Sequence, residues 1–434
     1  MFLKKLVVHN YKSLRHVCFE PSPLAALIGP NAAGKSNFAD AIHFLSEVYS
    51  QGLEVAIARK GGYENIAFRK QRRTTAPIEF EIVLEGSGSD PDLNTELFFI
   101  KSNPLKKANF RFEHRFSIIA IGSGIKAAFK VKEEVFRIFI TTKDTGHAAD
   151  FIEQIKISRS ANRNVKMKIN EEGFLYEYFG YFQATNERIH ENEGFLVKEQ
   201  ELIISSFLFR NFLFLAFISA ISSFEVYQLS TNLSRAPGVP TPNPKLATTG
   251  ENLPALVDWL QRLHPKQWEI VMSGMRDILV GLTDISVDYL HTKTLGVSFR
   301  EEGVGNAWSA DDVSDGTIHS LALLVASVDP RSALLLVEEP ENSVHPWIIR
   351  VIMERLRKVS ALKNVVVTSH SPVLINLLKP EEVWIIFRDK GETKLHRLID
   401  LDPSVKKSWE NGDYRLSEFL DSGSISQAVP GGVF

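Results

Sequence analysis

The chain has 434 residues, 44% hydrophobic and 24% charged, an ordinary globular composition with length for two or three domains. A formal net charge of −2 excludes a bulk polycation, so any contact with nucleic acid has to come from local patches. One cysteine, Cys18, excludes an intrachain disulfide and a thiolate metal cluster.

In chain order, residues 1–8 read as a strand that ends in the turn His9-Asn10-Tyr11-Lys12-Ser13, with residues 17–19 as its hairpin partner. The first ten residues hold two lysines and no apolar run long enough for a signal peptide. Tyr11, Lys12 and Arg15 have two readings: they touch a bound nucleotide from the side, or they form a solvated turn with one packed tyrosine. Residues 24–28 suit a buried strand. They lead into Gly29-Pro30-Asn31-Ala32-Ala33-Gly34-Lys35-Ser36, which fits G-x-x-x-x-G-K-[ST], the phosphate loop of nucleotide-binding α/β proteins. A helix is expected over residues 37–49, with Phe38, Ile42, Leu45 and Tyr49 on one face. Gly29 and Gly34 let the backbone turn its N–H groups onto an anion, and the positive end of the helix dipole points the same way. In this motif Lys35 reaches the β- and γ-phosphates and the Ser36 hydroxyl holds Mg²⁺.

A dense basic cluster follows at Arg69, Lys70, Gln71, Arg72 and Arg73, then a strand at residues 78–84. Residues 86–210 look like an insertion with mixed strand and helix signals and no phosphate chemistry. Inside it Lys101, Lys106, Lys107, Arg111, Arg115, Lys126, Lys130 and Lys132 face a lone acid, Glu113, with Phe110, Phe112 and Phe116 interleaved. Basic residues mixed with aromatics can track a phosphate backbone. They can equally be the solvated face of strands whose aromatics point into a core, and both readings stay open. No heptad repeat is present, which argues against long coiled-coil arms. The most apolar stretch, residues 202–224, is interrupted by Arg210 and Asn211 and leaves too short a run to span a bilayer. It reads as a buried core helix in a cytoplasmic protein with no membrane contact.

A return strand is expected at residues 224–229 and an irregular loop at 236–244, where four prolines forbid a helix. Helices at 253–263 and 268–279 and strands at 285–289 and 295–300 come next. Four motifs close the pattern. Val313-Ser314-Asp315-Gly316-Thr317 precedes a helix at 318–328, so a serine and a glycine at a helix N-terminus offer a second anion-binding surface. An apolar strand then ends in Glu338-Glu339-Pro340. Glu338 is placed to bind Mg²⁺ through water, and Glu339 to orient or deprotonate an attacking water. Adjacent carboxylates suit a strand terminus, where successive side chains diverge. Glu341-Asn342-Ser343-Val344-His345-Pro346 follows, then a helix. Finally, a buried strand ends at Thr368-Ser369-His370-Ser371-Pro372, where a histidine can hydrogen-bond a γ-phosphate and sense its loss.

Phosphate loop, S-D-G-T, strand-E-E-P-E-N and T-S-H-S-P, in this order, resemble the ABC-type ATPase heads of the RecF/SMC branch. Nearest are stand-alone prokaryotic ATPases akin to the OLD-family ATPase domain, often found in anti-phage operons. The opening His9-Asn10-Tyr11-Lys12-Ser13-Leu14 is similar to the N-x-[YF]-[KR]-S start of that branch. The resemblance covers residues 1–85 and 220–385. It implies an α/β fold: a P-loop ATPase head with a mixed α+β insertion and a helical lobe that bears the signature. The implied division is 1–85 (head, first part), 86–210 (insertion), 211–385 (head, second part) and 386–434 (tail).

The resemblance also implies roles. Gly29, Asn31, Gly34, Lys35, Ser36 and Asn37 form the phosphate loop, and Lys12 belongs to the nucleotide site. Ser314 and Gly316 cap the γ-phosphate of ATP bound to a second protomer. Glu338 lies on the Mg²⁺ side, where the wider superfamily has aspartate. Glu339 is the catalytic glutamate, His370 the switch histidine, and residues 342–345 the loop crossing a dimer interface. The glutamine loop stays open between Gln183 and Gln228. The implied activity is Mg²⁺-dependent ATP hydrolysis by a head-to-tail homodimer that sandwiches two ATP molecules. Such a switch is coupled to DNA or to a separate effector, such as a nuclease, with phage defence as the expected setting. A DNA-maintenance ATPase and a transporter subunit are the alternatives. Asp400-Leu401-Asp402 is read as a solvated turn, since only 64 residues follow His370, too few for the Toprim nuclease of OLD-type proteins. The tail beyond Tyr414 either docks a partner or frays.

Overall fold

The computed structural model describes residues 1–68, 76–90, 107–122, 128–142, 150–159, 165–170, 197–205 and 212–422. The basic cluster at 69–73, Lys101, Lys106, Lys126, Gln183 and the tail at 423–434 lie outside the described residues. The chain forms two compact units: residues Met1–Pro21, Asp40–Ser223 and Arg388–Leu395, and residues Ser22–Ala39, Phe224–Phe387 and His396–Phe434.

The first unit is built on an antiparallel sheet, seven-stranded among the described residues. Its strands are β1 (Phe2–Tyr11), β2 (Leu14–Phe19), β4 (Ile78–Ser87), β5 (Asn109–Ile121), β6 (Ala128–Thr141), β7 (Ile152–Arg159) and β8 (Val165–Ile169), in the order β2-β1-β4-β5-β6-β7-β8. β1 runs on to Tyr11, so the expected five-residue turn shrinks to Lys12-Ser13, with Lys12 at φ 47°. The strand can extend because its ladders hold beyond Val8, Tyr11 pairing with Leu14 and His9 with Glu79. The ladder also crosses residue 85 without a break, Ser87 opposite Asn109, so the insertion prolongs this sheet instead of starting a new body after residue 85. Alternation places Phe110, Phe112, His114 and Phe116 on the inner face, all buried. They pack on helix α1 (Lys35–Gln51), which supplies Phe44 and Tyr49 to this unit, and on α4 (Phe212–Ser222), which supplies Phe214 and Phe217. Phe112 and Phe136 stand 5.9 and 5.0 Å from the Phe217 ring. The short helices α2 (Leu53–Arg59) and α3 (Tyr63–Ile66) lie between α1 and β4 in the chain. The apolar stretch at 202–224 is not one helix. A 3₁₀ turn, Ile203–Ser205, opens it, and α4 stops at Ser222 so that a strand can start at Phe224.

The second unit holds β3 (Leu24–Ile28), β9 (Phe224–Tyr227), β13 (Leu334–Glu338), β14 (Asn364–Ser369) and most of β15 (Val383–Asp389), in a sheet ordered β16-β15-β3-β14-β13-β9; β16 (Glu392–Arg397) has its residues up to Leu395 in the first unit. β15, β3, β14, β13 and β9 run parallel. Near-continuous apolar runs in β3, β13 and β14 suit strands covered on both faces. A smaller antiparallel sheet contains β10 (Leu282–Tyr289), β11 (Leu295–Glu301) and β12 (Trp308–Ser309). The helices are α5 (Thr231–Arg235), α6 (Leu253–Leu263), α7 (Pro265–Ile278), α8 (Asp315–Val328), α9 (Pro346–Val359), α10 (Pro372–Ile375), α11 (Leu398–Leu401), α12 (Ser404–Asn411) and α13 (Leu416–Asp421). Proline at N1 lets α7 start three residues earlier than its apolar period suggests. From Gly316 to Val328 every residue of α8 is buried, the mark of a core helix. The signature-bearing lobe is therefore helical and also includes the small sheet.

Candidate nucleotide site

The parallel register aligns three strand ends: Ser369 stands beside Ile28, and Glu338 beside Thr368. Crevices at the carboxyl ends of parallel strands are where open α/β sheets bind ligands. The loop leaving β3 needs its glycines. A Cβ on Gly29 would lie 1.8 Å from the Ile386 carbonyl oxygen, and Gly34 has φ +111°. Ala33 N–H donates to Pro30 O at 3.2 Å, and Phe38 N–H to Gly34 O at 3.0 Å, closing the loop into the first turn of α1. That turn carries no acidic side chain, so its N–H groups and positive dipole end are left for an external anion.

Lys35 is buried and folds over its own loop. Its Nζ donates to Gly29 O at 2.9 Å, to Pro30 O at 3.2 Å and to Nε2 of His370 at 2.5 Å. Burial lowers the Lys35 pKa, opposed by Glu339, Glu338 and Glu341. Burial and then the Lys35 cation lower that of His370, against Glu339 and Glu341. A neutral imidazole follows near pH 7, and Nε2 can accept the Lys35 proton donor. Ser36 Oγ donates to Glu338 Oε2 at 2.7 Å. Asn31 is exposed and Asn37 half-buried on the same loop and helix.

Glu339 departs from strand geometry, with φ 50°. Its N–H is held by Thr368 O at 2.9 Å, and its Oε2 accepts from Asn342 Nδ2 at 2.8 Å. Thus Asn342, read in the sequence only as interface loop, also orients a carboxylate. Glu341, which carried no expected role, accepts from Ser369, His370 and Ser371 through one oxygen. Its signal was the third acid of E-E-P-E, but its target is set by the neighbouring strand.

Ser314 is the N-cap of α8, accepting from Thr317 N at 3.2 Å. A Cβ on Gly316 would meet Ser343 O at 3.0 Å, so the signature turn lies tight against the turn that follows the carboxylates. Arg235 donates to Asp315 at 2.6 Å and to Ala310 O, a clamp with no sequence signal of its own. Gln228 directly follows β9, and pairing of Tyr227 with Val337 sets it in the row of Glu338, exposed.

In the first unit, Lys12 Nζ pairs with Asp40 at 2.5 Å, Tyr11 OH donates to Asp40 at 2.6 Å, and Arg15 pairs with Glu392 at 2.5 Å. Tyr11 is fully buried, as the packed-tyrosine reading has it. Phe110, Phe112 and Phe116 point into the core and cannot stack on bases. Arg111 pairs with Glu85 and Glu113, and Arg115 with Glu79. In the described part of that stretch the two arginines are thus paired on the strand face. Asp402 accepts from Ser404 N at 2.9 Å and Oγ at 2.7 Å in the turn between α11 and α12, while Asp400, expected in the same turn, lies exposed within α11.

The residues fit Mg²⁺. A hydroxyl and a carboxylate oxygen, both hard donors, converge at Ser36 and Glu338. Among the described residues there is no group of three or more His, Cys, Asp or Glu that could hold a metal. No helix among the described residues is long and apolar enough to cross a membrane.

The family model described as "AAA domain, putative AbiEii toxin, Type IV TA system" matches residues 24–376. No curated protein matches the chain. Among solved structures, an SMC head bound to the C-winged helix domain of ScpA is 12% identical, with TM-score 0.50 over 91% of this chain and 98% of that one. The SMC head domain from Thermotoga maritima is 14% identical, with TM-score 0.39 over 92% and 99%. At 12% identity the first likeness establishes the fold, an ABC-type head.

Proposed function

Since the chain belongs to this AbiEii-type AAA family, we propose that its ATPase works as a switch, in which two protomers close head to tail on two ATP molecules and drive a partner. One observation carries the reading. A lysine, a hydroxyl, two carboxylates and a histidine from three parallel strand ends converge on one another, while Ser314 and Gly316 spend their contacts on α8 and on Ser343. Of the two, Ser314 is exposed and is the part of the signature turn that a second copy can reach.

Each residue has a task. The loop N–H groups and the start of α1 cradle the phosphates, and Lys35 exchanges His370 and its loop carbonyls for phosphate oxygens. Ser36 and Glu338 hold Mg²⁺, which when bound neutralises developing phosphate charge. Glu339, aimed by Asn342, takes the proton of the attacking water. Released from Lys35, the His370 imidazole turns to the γ-phosphate. If ATP stands about 100-fold above its dissociation constant, binding favours the closed state by up to about 2.7 kcal/mol, and by less to the extent that the open state also binds it.

The family description names a type IV toxin–antitoxin system, which supports coupling to a partner or effector; phage defence is the setting we propose for it. Steady-state ATP hydrolysis by the purified chain, with and without double-stranded DNA, is the test. The reading expects turnover that Glu339→Gln abolishes while ATP still binds. Turnover retained in Glu339→Gln would remove that residue from the role. Stimulation by DNA identifies nucleic acid as the coupled ligand, and indifference to DNA points to a protein effector.

A further inference from the structure

We propose that Glu341 is a positioning residue, whose carboxylate fixes the segment carrying His370 and so sets where the imidazole meets Lys35 and ATP. The inference rests on the ATPase reading of the same site. β14 ends at Ser369 and α10 starts at Pro372, so the N–H groups of His370 and Ser371 have neither a ladder nor a helix to bond to. Glu341 Oε1 supplies the partner. It accepts from Ser369 Oγ at 2.5 Å, His370 N at 3.1 Å and Ser371 N at 3.2 Å, three donors from three successive residues. Charge-assisted bonds of this kind are stronger than neutral ones. Ser369 Oγ also accepts from Ser371 N at 2.9 Å, so the anchor grips a closed turn.

Two further facts favour a role in the chemistry over simple packing. Glu341 Oε2 is buried with no hydrogen-bond partner, so all of the hydrogen bonds of this carboxylate go through Oε1 to the turn that carries His370. Glu341 also follows Glu339 by two residues, so one short turn presents the base and clamps the histidine. The charged groups facing His370 are Lys35, Glu339 and Glu341.

The test uses the full chain and a double-mutant cycle. Glu341→Ala is expected to lower kcat about 10- to 100-fold by misplacing the imidazole, with KM for ATP within about threefold of wild type. Glu341→Gln keeps an acceptor oxygen and should recover most of that loss. In a His370→Ala background, Glu341→Ala should cost less than about twofold more, because the residue acts through the histidine. Independent losses in the double variant would overturn the proposal, as would a loss confined to KM. A second readout needs no turnover: in histidine-labelled protein, the His370 ring resonances should move in Glu341→Ala. Resonances left in place overturn the proposal, whether or not the wild type hydrolyses ATP. An inactive wild type with moved resonances sinks the ATPase reading and leaves the contact standing.

Discussion

Two clusters of charged residues in this molecule look alike on paper and behave oppositely. In the first unit Tyr49, His114, Glu134 and Arg159 form a chain of hydrogen bonds inside the core, with Glu134 1% and His114 0% exposed. Tyr49 bonds His114, whose Nε2 meets Glu134 at 3.2 Å. Arg159 and the Ile203 N–H bond the other Glu134 oxygen at 3.2 and 2.8 Å. Arg159 also donates to Glu201 O at 2.6 Å, so the network staples the segment around 198–205 to the sheet. In the second unit Lys35, Glu338, Glu339 and His370 stand at strand ends, where His370 is exposed and Glu338 and Glu339 are partly so. The enclosed cluster meets nearly all of its demands within the chain, Arg159 Nε being the one atom of these four side chains that is buried without a partner. The open one rests on contacts that a ligand can replace. Access, more than residue type, separates a structural network from a chemical one.

The sharpest way to break this comparison is Glu134→Ala. Removing one partner of a buried charged network should cost about 3–5 kcal/mol, read by urea unfolding. A loss under about 1 kcal/mol would mean the network is not structural. Next, Glu339→Gln should slow hydrolysis on the order of 10²–10⁴-fold, yet shift unfolding by no more than about 0.5 kcal/mol. A large stability change there would blur the distinction.

A third case lies in the second unit. Lys363 is buried, its Nζ donates to Asp329 O at 2.6 Å, and burial pulls its pKa down to about 8, against Asp329 and Glu225. Unfolded, this lysine keeps its proton up to about 10.5, its ordinary value. Between those pH values the unfolded state binds more protons, so stability rises with pH through this window and is flat outside it. Relative to Lys363→Met, wild type should gain roughly 1–3 kcal/mol from pH 8 to 10.5, seen in unfolding curves. The smallest effect is expected for Ser314→Ala, about 1 kcal/mol for a lost N-cap. A fall in turnover far beyond that would show the serine acting on nucleotide as well.

Much of the open cluster was legible in the sequence because its chemistry is local. The phosphate loop, the E-E-P-E strand end and T-S-H-S-P each announce themselves within ten residues, and parallel register brings them together. The enclosed cluster was not legible. Tyr49, His114, Glu134 and Arg159 are far apart in sequence, and each alone is an ordinary residue on a helix or strand. Glu341 and Arg235 were missed for the same reason, since their partners at 369–371 and at 310 and 315 are fixed by tertiary contact. The Lys101 to Lys132 stretch was ambiguous because alternation says which residues share a face, but not which face meets the core. For its described part, the burial of Phe110, Phe112 and Phe116 decides that question.

The φ of 50° at Glu339 bears on protein engineering. A left-handed backbone disfavours a residue with a branched-off Cβ by roughly 1–2 kcal/mol, and glycine or asparagine relieves it. A library selected for heat resistance alone should therefore drift toward Glu339→Gly or Glu339→Asn. On the role proposed for Glu339, its winners would be robust proteins that load ATP without turning it over, so a stabilisation campaign on this fold should hold that position fixed.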